Sequence, residues 1–406
     1  MRILFINQFF WPDAAATGQF LEDAVRHLAA RGHEVTVICS HSRYAGVEPT
    51  TAAPPARILR VRGVPFKRSF VGRALSYASF YVGAMWLALR APRPDVIVTM
   101  TTPPMLSVLG LLVQKLRGAR HYIWEMDLFP DALVSLGALR EGSLVERAMG
   151  AVIDLTRRRA DGVIALGPCM RERLLRRGIP AGRVHIADNW ADGAEIEPAA
   201  LPDREELSVL YSGNLGLSHD VATIAAAMER LDADPRFLFS FAGGGARRKE
   251  LERLCREKNL ARVQFLPYAS RGDLAASLAA ADIGLVTIRN ECVGTVVPSK
   301  VYGLLAAGRP ILFIGPRHAS AGRIVLEHRC GWQVDCGEVE RLVELLRDLC
   351  QDRRRVREAG ARARSAFERC YNLPDGVARI AAILETAPPQ SGAADTRPAG
   401  YLARFI

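Results

Sequence analysis

The segment Arg289–Gly308 (Arg-Asn-Glu-Cys-Val-Gly-Thr-Val-Val-Pro-Ser-Lys-Val-Tyr-Gly-Leu-Leu-Ala-Ala-Gly) concentrates the residues best suited to chemistry. Its start reads as the end of a strand and its second half as a helix beginning near Ser299. Ser299 is an N-cap candidate, because its hydroxyl can accept from an orphan amide of the first turn. Lys300 then falls in that first turn, where a cation opposes the helix dipole unless an anion is bound. The pair therefore points to a phosphate site, against the plainer reading of a solvated lysine. Glu291 is the only carboxylate of the segment. It could hold sugar hydroxyls by charge-assisted hydrogen bonds, or be a solvated loop residue.

Two glycine loops precede this segment. Tyr211-Ser212-Gly213-Asn214-Leu215-Gly216 leaves a predicted strand and enters a predicted helix. Gly213 lets backbone amides approach a phosphate, and the helix start adds partial positive charge. Gly243-Gly244-Gly245 follows the next strand, and three glycines in a row imply that something comes close to that loop. Tight turns would explain both loops equally simply. No G-x-x-x-x-G-K-[ST] occurs, so a P-loop is excluded, and the first strand-to-helix loop lacks G-x-G-x-x-G.

The elements that must position these residues alternate in kind. Apolar runs without alternation at Arg2–Asn7, Glu34–Cys39, Ile58–Val61, Asp95–Thr99, Arg120–Trp124 and Gly162–Ala165 read as buried parallel strands. Helical spacing at Thr17–Ala30, Ala74–Leu89, Met105–Leu116 and Leu144–Arg159 separates them. After a polar linker, Glu195–Glu206, the alternation restarts. Strands are expected at Ser208–Tyr211, Phe237–Ala242, Val263–Phe265, Ile283–Val286, Pro310–Ile314 and Gly331–Val334. Helices are expected at His219–Leu231, Arg247–Lys258, Asp273–Ala280 and Ser299–Ala307, near Arg323–Glu327, and at Glu340–Gln351. The fold class is thus α/β, with two facing Rossmann-like domains and a cleft between them. The predicted organisation is an acceptor-binding domain over 1–198 and a nucleotide-sugar-binding domain over 206–370. A helix over 371–388 returns to the first domain, and 389–406 forms a disordered tail.

At this point the chain resembles a known family. Its N-terminus "MRILFINQFFWPDAAATGQFLEDAVRHLAARGHEVTVICS", together with "WEMDLFPD", "YSGNLGLSHD", "FLPY" and "VVPSKVYGLLAAGRPILFIG", is similar to family-four glycosyltransferases of the GT-B fold. The nearest branch builds bacterial exopolysaccharide and O-antigen chains. The resemblance covers roughly residues 1–385. It implies retaining, metal-independent transfer of a sugar from a nucleoside diphosphate, UDP rather than GDP, with no cofactor and no metal. Glu291, with Gly294 after it, matches the first half of the family's Glu-x7-Glu pattern. The second half is missing, since Gly303 stands where many members hold ribose with a glutamate. Many relatives also place Arg and Lys on the diphosphate where this chain has Asn214 and His219, so Lys300 is expected to take over. The resemblance further implies donor contacts at Thr17, Gly18, Gly213, Asn214, His219, Gly243, Gly244, Tyr268, Gly294 and Ser299. It places a reaction-centre residue at Asp127, with Glu125 a weaker candidate, and a domain-junction loop at Asn189-Trp190.

Composition bounds the partners. At 406 residues, 49% apolar and 24% charged, the chain suits two globular domains. Its net charge of +11 favours an anionic partner. Between Glu48 and Asp95 there is no acid, but there are eight basic residues interleaved with aromatics. That pattern predicts contact with an anionic lipid surface through Lys67, Arg68 and Arg73, and no nucleic-acid motif accompanies it. The eight scattered cysteines fit a reducing compartment. The expectation is a cytoplasmic protein, peripheral on the inner face of the membrane, acting on a lipid-linked acceptor. A sugar-nucleotide epimerase on the same architecture and a non-catalytic nucleotide-sugar-binding protein are the alternatives.

Overall fold

A computed structural model describes residues 1–13, 15–41, 52–65, 70–201, 204–270 and 272–386. The first domain holds β1 (Arg2–Ile6), β2 (Glu34–Ser40), β3 (Arg57–Val61), β4 (Val96–Thr99), β5 (Arg120–Trp124), β6 (Gly162–Ala165) and β7 (Val184–Ile186). They pair in parallel, in the order β3-β2-β1-β4-β5-β6-β7. Its helices are α1 (Ala16–Ala30), α2 (Phe70–Arg90), α3 (Leu106–Arg117), α4 (Asp131–Ser135), α5 (Leu144–Arg159) and α6 (Pro168–Arg176). Both faces of the sheet are covered, which is why β4 and β6 are buried at every residue.

The second domain holds β8 (Leu207–Ser212), β9 (Phe237–Ala242), β10 (Val263–Leu266), β11 (Ile283–Thr287), β12 (Ile311–Ile314) and β13 (Gly331–Val334). Their parallel order is β10-β9-β8-β11-β12-β13. Helices α7 (Ala222–Leu231), α8 (Ala246–Glu257), α9 (Leu274–Ala279), α10 (Lys300–Ala306), α11 (Ser320–Glu327), α12 (Val339–Gln351) and α13 (Arg353–Cys370) complete it. Strand order reverses direction between β1 and β4 in one sheet and between β8 and β11 in the other. Crevices open at the carboxyl ends of such switch points, and ligands of parallel sheets bind there.

Three helices lie outside the sequence expectation: α4, α6 and α13. The arginine-rich α13 hides its packing face in small residues, Ala359, Gly360, Ala363 and Ala366. These let it approach the end of α10 closely, where a Cβ on Gly360 would stand 2.5 Å from the Gly308 carbonyl. The last helix, α14 (Leu373–Glu385), leaves the second domain and packs on α1. Val377, Ile380, Ala381 and Leu384 join the first domain's core. Glu385 closes the joint through Arg31 and His33 at 2.8 Å each. Trp190 sits beneath this crossing: Gly376 lies against its indole, and its Nε1 donates to Asp23 at 2.8 Å. The 389–406 tail lies outside the described residues.

Candidate functional site

The loops after β8 and β9 are folded onto each other. Gly213, Gly243 and Gly245 all take φ near +121°, a region that favours glycine. A Cβ on Gly243 would lie 2.2 Å from the Gly213 carbonyl, and one on Gly245 would lie 2.3 Å from that of Leu215. The glycines are therefore required by loop-on-loop packing. This corrects part of the sequence reading. The Gly213 amide donates to Ala242 and the Gly243 amide to Leu266, at 2.8 and 3.1 Å, so neither is free for a phosphate. The amides of Asn214, Gly216, Gly244 and Gly245 make no backbone hydrogen bond among the described residues. Tyr268, largely exposed, lays its ring over Gly244.

Lys300 opens α10 and folds over this loop. A Cβ on Gly213 would meet its Cε at 2.8 Å, so the glycine makes room for the lysine stem. Its Nζ lies 3.3 Å from the Asn214 carbonyl and 5.0 Å from the centre of the Tyr211 ring. The Tyr211 hydroxyl donates to the same carbonyl at 2.7 Å. Among the described residues no carboxylate pairs with Lys300. The ammonium is half-buried, and desolvation lowers its pKa to about 8. Ser299 occupies the N-cap position, but its side chain makes no cap hydrogen bond. At the α10 amino end the Tyr302 amide donates to the Ser299 carbonyl at 3.2 Å, while the Lys300 and Val301 amides make no backbone hydrogen bond among the described residues.

His219 departs from expectation in two ways. The helix following β8 starts at Ala222, because the Asp220 carboxylate takes the Thr223 amide and hydroxyl and sets the first turn there. His219 is left in the loop, buried, with Nδ1 2.7 Å from the Thr287 carbonyl. Burial first, and then the nearby Lys300 charge, lowers its pKa to about 3. It is neutral near pH 7 and adds no positive charge, which leaves Lys300 as the cation of this loop.

The segment after β11 joins the two domains. Asp127, at the carboxyl end of β5, pairs as an antiparallel bridge with Val296, and the Leu128 amide donates to Thr295 at 2.8 Å. Asp127's own amide donates to Thr101 Oγ1 at 3.3 Å. Burial, with the Glu125 charge second, raises its carboxyl pKa to about 6. Glu125 is not available for chemistry: it is fully buried and holds Arg157 Nε at 2.7 Å. Gly294 also has a different role from the expected donor contact. Its φ is +74°, and a Cβ there would stand 2.6 Å from the Cys169 carbonyl at the start of α6, so it seats the joint. Glu291 is exposed and meets Arg289 Nε at 3.4 Å.

Arg173 on α6 and Arg289 were missed from the sequence. Arg173 donates from Nε to the Val293 carbonyl at 2.6 Å, and also reaches the Glu291 carbonyl and Asp131, each at 3.4 Å. It ties the first domain to the loop carrying Glu291. Arg289 donates to the Leu217 carbonyl at 3.1 Å and so couples that loop to the glycine loop. The signal for Arg173 would have been the Gly167-Pro168 helix start, a proline at the first helical position. Hydrogen bonds to charged donors contribute about 1.5–3 kcal/mol. Arg173→Ala should therefore lower kcat/KM by about tenfold or more, and the melting temperature by a few degrees because the same bonds are lost from the fold. Parallel kinetics and melting curves check this.

In the first domain, Thr17 and Gly18 lie in the first turn of α1, at the β1/β4 switch point. A Cβ on Gly18 would press on the Phe9 carbonyl at 3.3 Å, so glycine allows the preceding loop to fold over the helix start. Ala14, beside them, and Lys67 and Arg68 lie outside the described residues, while Arg73 is exposed on α2. A Cβ on Gly303 would meet Leu278 and Ile196 at 3.7 and 3.8 Å. The one Asp-x-Asp of the sequence, Asp232-Ala233-Asp234, lies at the amino end of β9. There Asp232 accepts the Ala261 and Arg262 amides and Asp234 pairs with Arg236.

Residues 16–190 match the family described as glycosyl transferase 4-like domain, and residues 193–366 match glycosyl transferases group 1. A colanic acid biosynthesis glycosyl transferase named for Escherichia coli, WcaI, is 27% identical over 80% of this chain and 86% of its own. The Pseudomonas aeruginosa glycosyltransferase named WbjE is 26% identical over 86% and 90%. Among solved structures, sucrose-phosphate synthase of Thermosynechococcus elongatus superposes with a TM-score of 0.75 at 20% identity, covering 94% of this chain and 98% of that one. Anabaena HepE, solved with UDP-glucose, superposes with a TM-score of 0.69 at 15% identity, covering 95% and 99%. The architecture is shared with all of these neighbours.

Proposed function

We propose, starting from a chain that belongs to the glycosyltransferases joining a 4-like domain to a group 1 domain on the GT-B fold, that it moves a sugar from a nucleoside diphosphate to a lipid-linked glycan in bacterial surface polysaccharide synthesis. The observation that carries this reading is the unneutralised Lys300 ammonium, folded over a glycine loop at the β8/β11 switch point. A half-buried cation without a carboxylate is costly unless a ligand brings the anion. A diphosphate supplies it, with the free amides of Asn214, Gly216, Gly244 and Gly245 beside it. UDP is favoured over GDP as the carrier, in keeping with the UDP and UDP-glucose of the HepE structures.

In this reading catalysis rests on preorganised charge at the leaving group, and no metal or cofactor is required. Lys300 and the loop amides take up the negative charge as the bond from the anomeric carbon to the phosphate oxygen breaks. Glu291 accepts hydrogen bonds from donor hydroxyls. Asp127, with its raised basicity, accepts a hydrogen bond from the acceptor hydroxyl arriving on the same face. The acceptor oxygen bonds the anomeric carbon, its proton leaves with the diphosphate, and configuration is retained.

The test is turnover of UDP-, GDP- and dTDP-sugars by the full chain, with and without a lipid-linked acceptor. Free nucleoside diphosphate is expected with one nucleotide class, only when acceptor is present, unchanged by a chelator, and with the anomeric configuration kept in the product. Isomerisation of the donor alone would support the epimerase alternative. Release with no nucleotide class and any acceptor would leave a non-catalytic binding protein.

A further inference from the structure

The outward side of α2 is made of residues that water solvates poorly. Exposed positions recur at Val71, Leu75, Ala78, Val82, Trp86 and Leu89. Their spacing of three and four residues draws one stripe along a helix of 21 residues, which is about 31 Å long. Val82 is 74% exposed and Trp86 52%. The inward side packs on the core through Phe80, Ala84 and Ala88, with Tyr81, Met85 and Leu87 partly buried beside them, so the helix is apolar on both sides. A surface helix of a globular protein keeps its outward side polar, and this one does not.

The neighbouring helices continue the pattern. α3 packs beside α2 and also beside α5. It presents Leu112 and Leu116 outward, and α5 presents Leu144, Val152 and Leu155, with Leu144 83% exposed. Three adjacent helices thus each turn apolar residues outward, which an ordinary surface shows only singly. The same helices carry exposed cations: Arg73 and Arg90 on α2, Lys115 on α3, and Arg158 and Arg159 at the end of α5. Arg90 lies over the Trp86 ring at 4.0 Å. Neither α2 nor α3 contains an acid.

We propose that the α2–α3–α5 layer lies on an anionic lipid bilayer, with the aliphatic and indole side chains in the headgroup boundary and the arginines and lysine on the lipid phosphates. The layer has the makings of an interfacial anchor rather than a span. Among the described residues no helix is long and apolar enough to cross a membrane, and apolar area combined with cations is what interfacial helices use. The layer reaches the cleft rim, since Ser76 near the start of α2 accepts from Gln8 Nε2 at 3.2 Å, just beyond β1. Docked this way, the protein presents its crevice at the bilayer surface. The inference deepens the lipid-linked acceptor reading, but it can be tested without any sugar substrate.

The experiment is flotation of the full chain with vesicles of phosphatidylcholine, with and without phosphatidylglycerol. Wild type is expected to float with the anionic vesicles and to release as salt rises, because the Debye length shortens. Val82→Glu combined with Trp86→Glu should weaken partition by about tenfold or more, as two inserted groups become charged. Leu326→Glu, an exposed apolar position on α11 of the other domain, should bind as wild type does. Circular dichroism melting confirms that the variants are folded. Loss of flotation in folded Val82→Glu/Trp86→Glu supports the proposal. Wild type remaining in solution with both vesicle types would overturn it. So would a folded variant that floats equally well, or a wild-type dimer that dissociates in the variant without any vesicle binding. Turnover of a soluble acceptor analogue is read separately, so failure of lipid docking and failure of sugar transfer are distinguishable.

Discussion

Lys300→Ala is expected to lower kcat/KM for sugar transfer by about 10²–10³-fold, the usual effect of removing one preorganised donor from a developing anion. The reasoning follows from its surroundings. The ammonium has a carbonyl and an aromatic ring for company and no carboxylate partner among the described residues. His219 is neutral near pH 7 and cannot replace it. The stability sign can be worked out as well. The lysine's folded pKa is about 8, against an ordinary value of 10.5. The unfolded chain therefore binds more protons between these values, and the donor-free protein gains stability as pH rises through that window. A bound diphosphate favours the charged form, so donor-induced stabilisation should shrink over the same window. In the wild type, kcat/KM should fall above about pH 8 as Lys300 deprotonates and below about pH 6 as Asp127 protonates. In Lys300→Ala the upper limb should vanish while the lower one remains. An unchanged pH profile and an equal thermal shift with donor would remove Lys300 from the site.

The second large effect concerns stability. Arg157 is fully buried between Glu125 and Asp154, at 2.7 and 3.0 Å, and donates to the Phe129 carbonyl at 2.9 Å. Truncating one partner of a buried pair leaves an uncompensated charge and costs about 3–5 kcal/mol. Arg157→Leu should therefore lower the melting temperature by roughly 10 °C, as read by calorimetry. Arg157→Leu combined with Glu125→Gln should recover part of the loss, because the stranded carboxylate is removed. The same network braces the turn between β5 and α4, which carries Asp127. Activity of the surviving folded fraction should fall along with stability. If Arg157→Leu melts with the wild type, the network is slack and Asp127 is held by its backbone pairing with Val296 and its bond to Thr101 instead.

Both effects depend on contacts that a linear reading reaches only in part. Lys300 could be singled out because its first-turn position conflicts with the helix dipole, a conflict visible within a few residues. Arg157 could not: its partners stand 32 and 3 residues away, and on the chain it belongs to an arginine run at the end of a helix. The glycines show the same division. Their special backbone angles are a local property, so their presence marked the loops. Whether they exist for a ligand or for one another depends on the packing of the two loops, where a Cβ on Gly243 would stand 2.2 Å from the Gly213 carbonyl.

What the sequence determined by itself was the alternation of buried strands and amphipathic helices, and with it two parallel sheets whose carboxyl ends carry the glycine loops and Lys300. Hydrophobic periodicity and helix-end chemistry are properties of neighbours along the chain, so they can be read without coordinates. Only the tertiary structure decided which amides remain free, that Gly294 and Arg173 form a domain joint, that His219 is neutral, and that α2 turns its apolar stripe outward. Each of those depends on burial and on partners from distant segments. The notable case is α2, where an apolar stripe looks the same in sequence whether it faces a sheet or points outward, and only packing distinguishes the two.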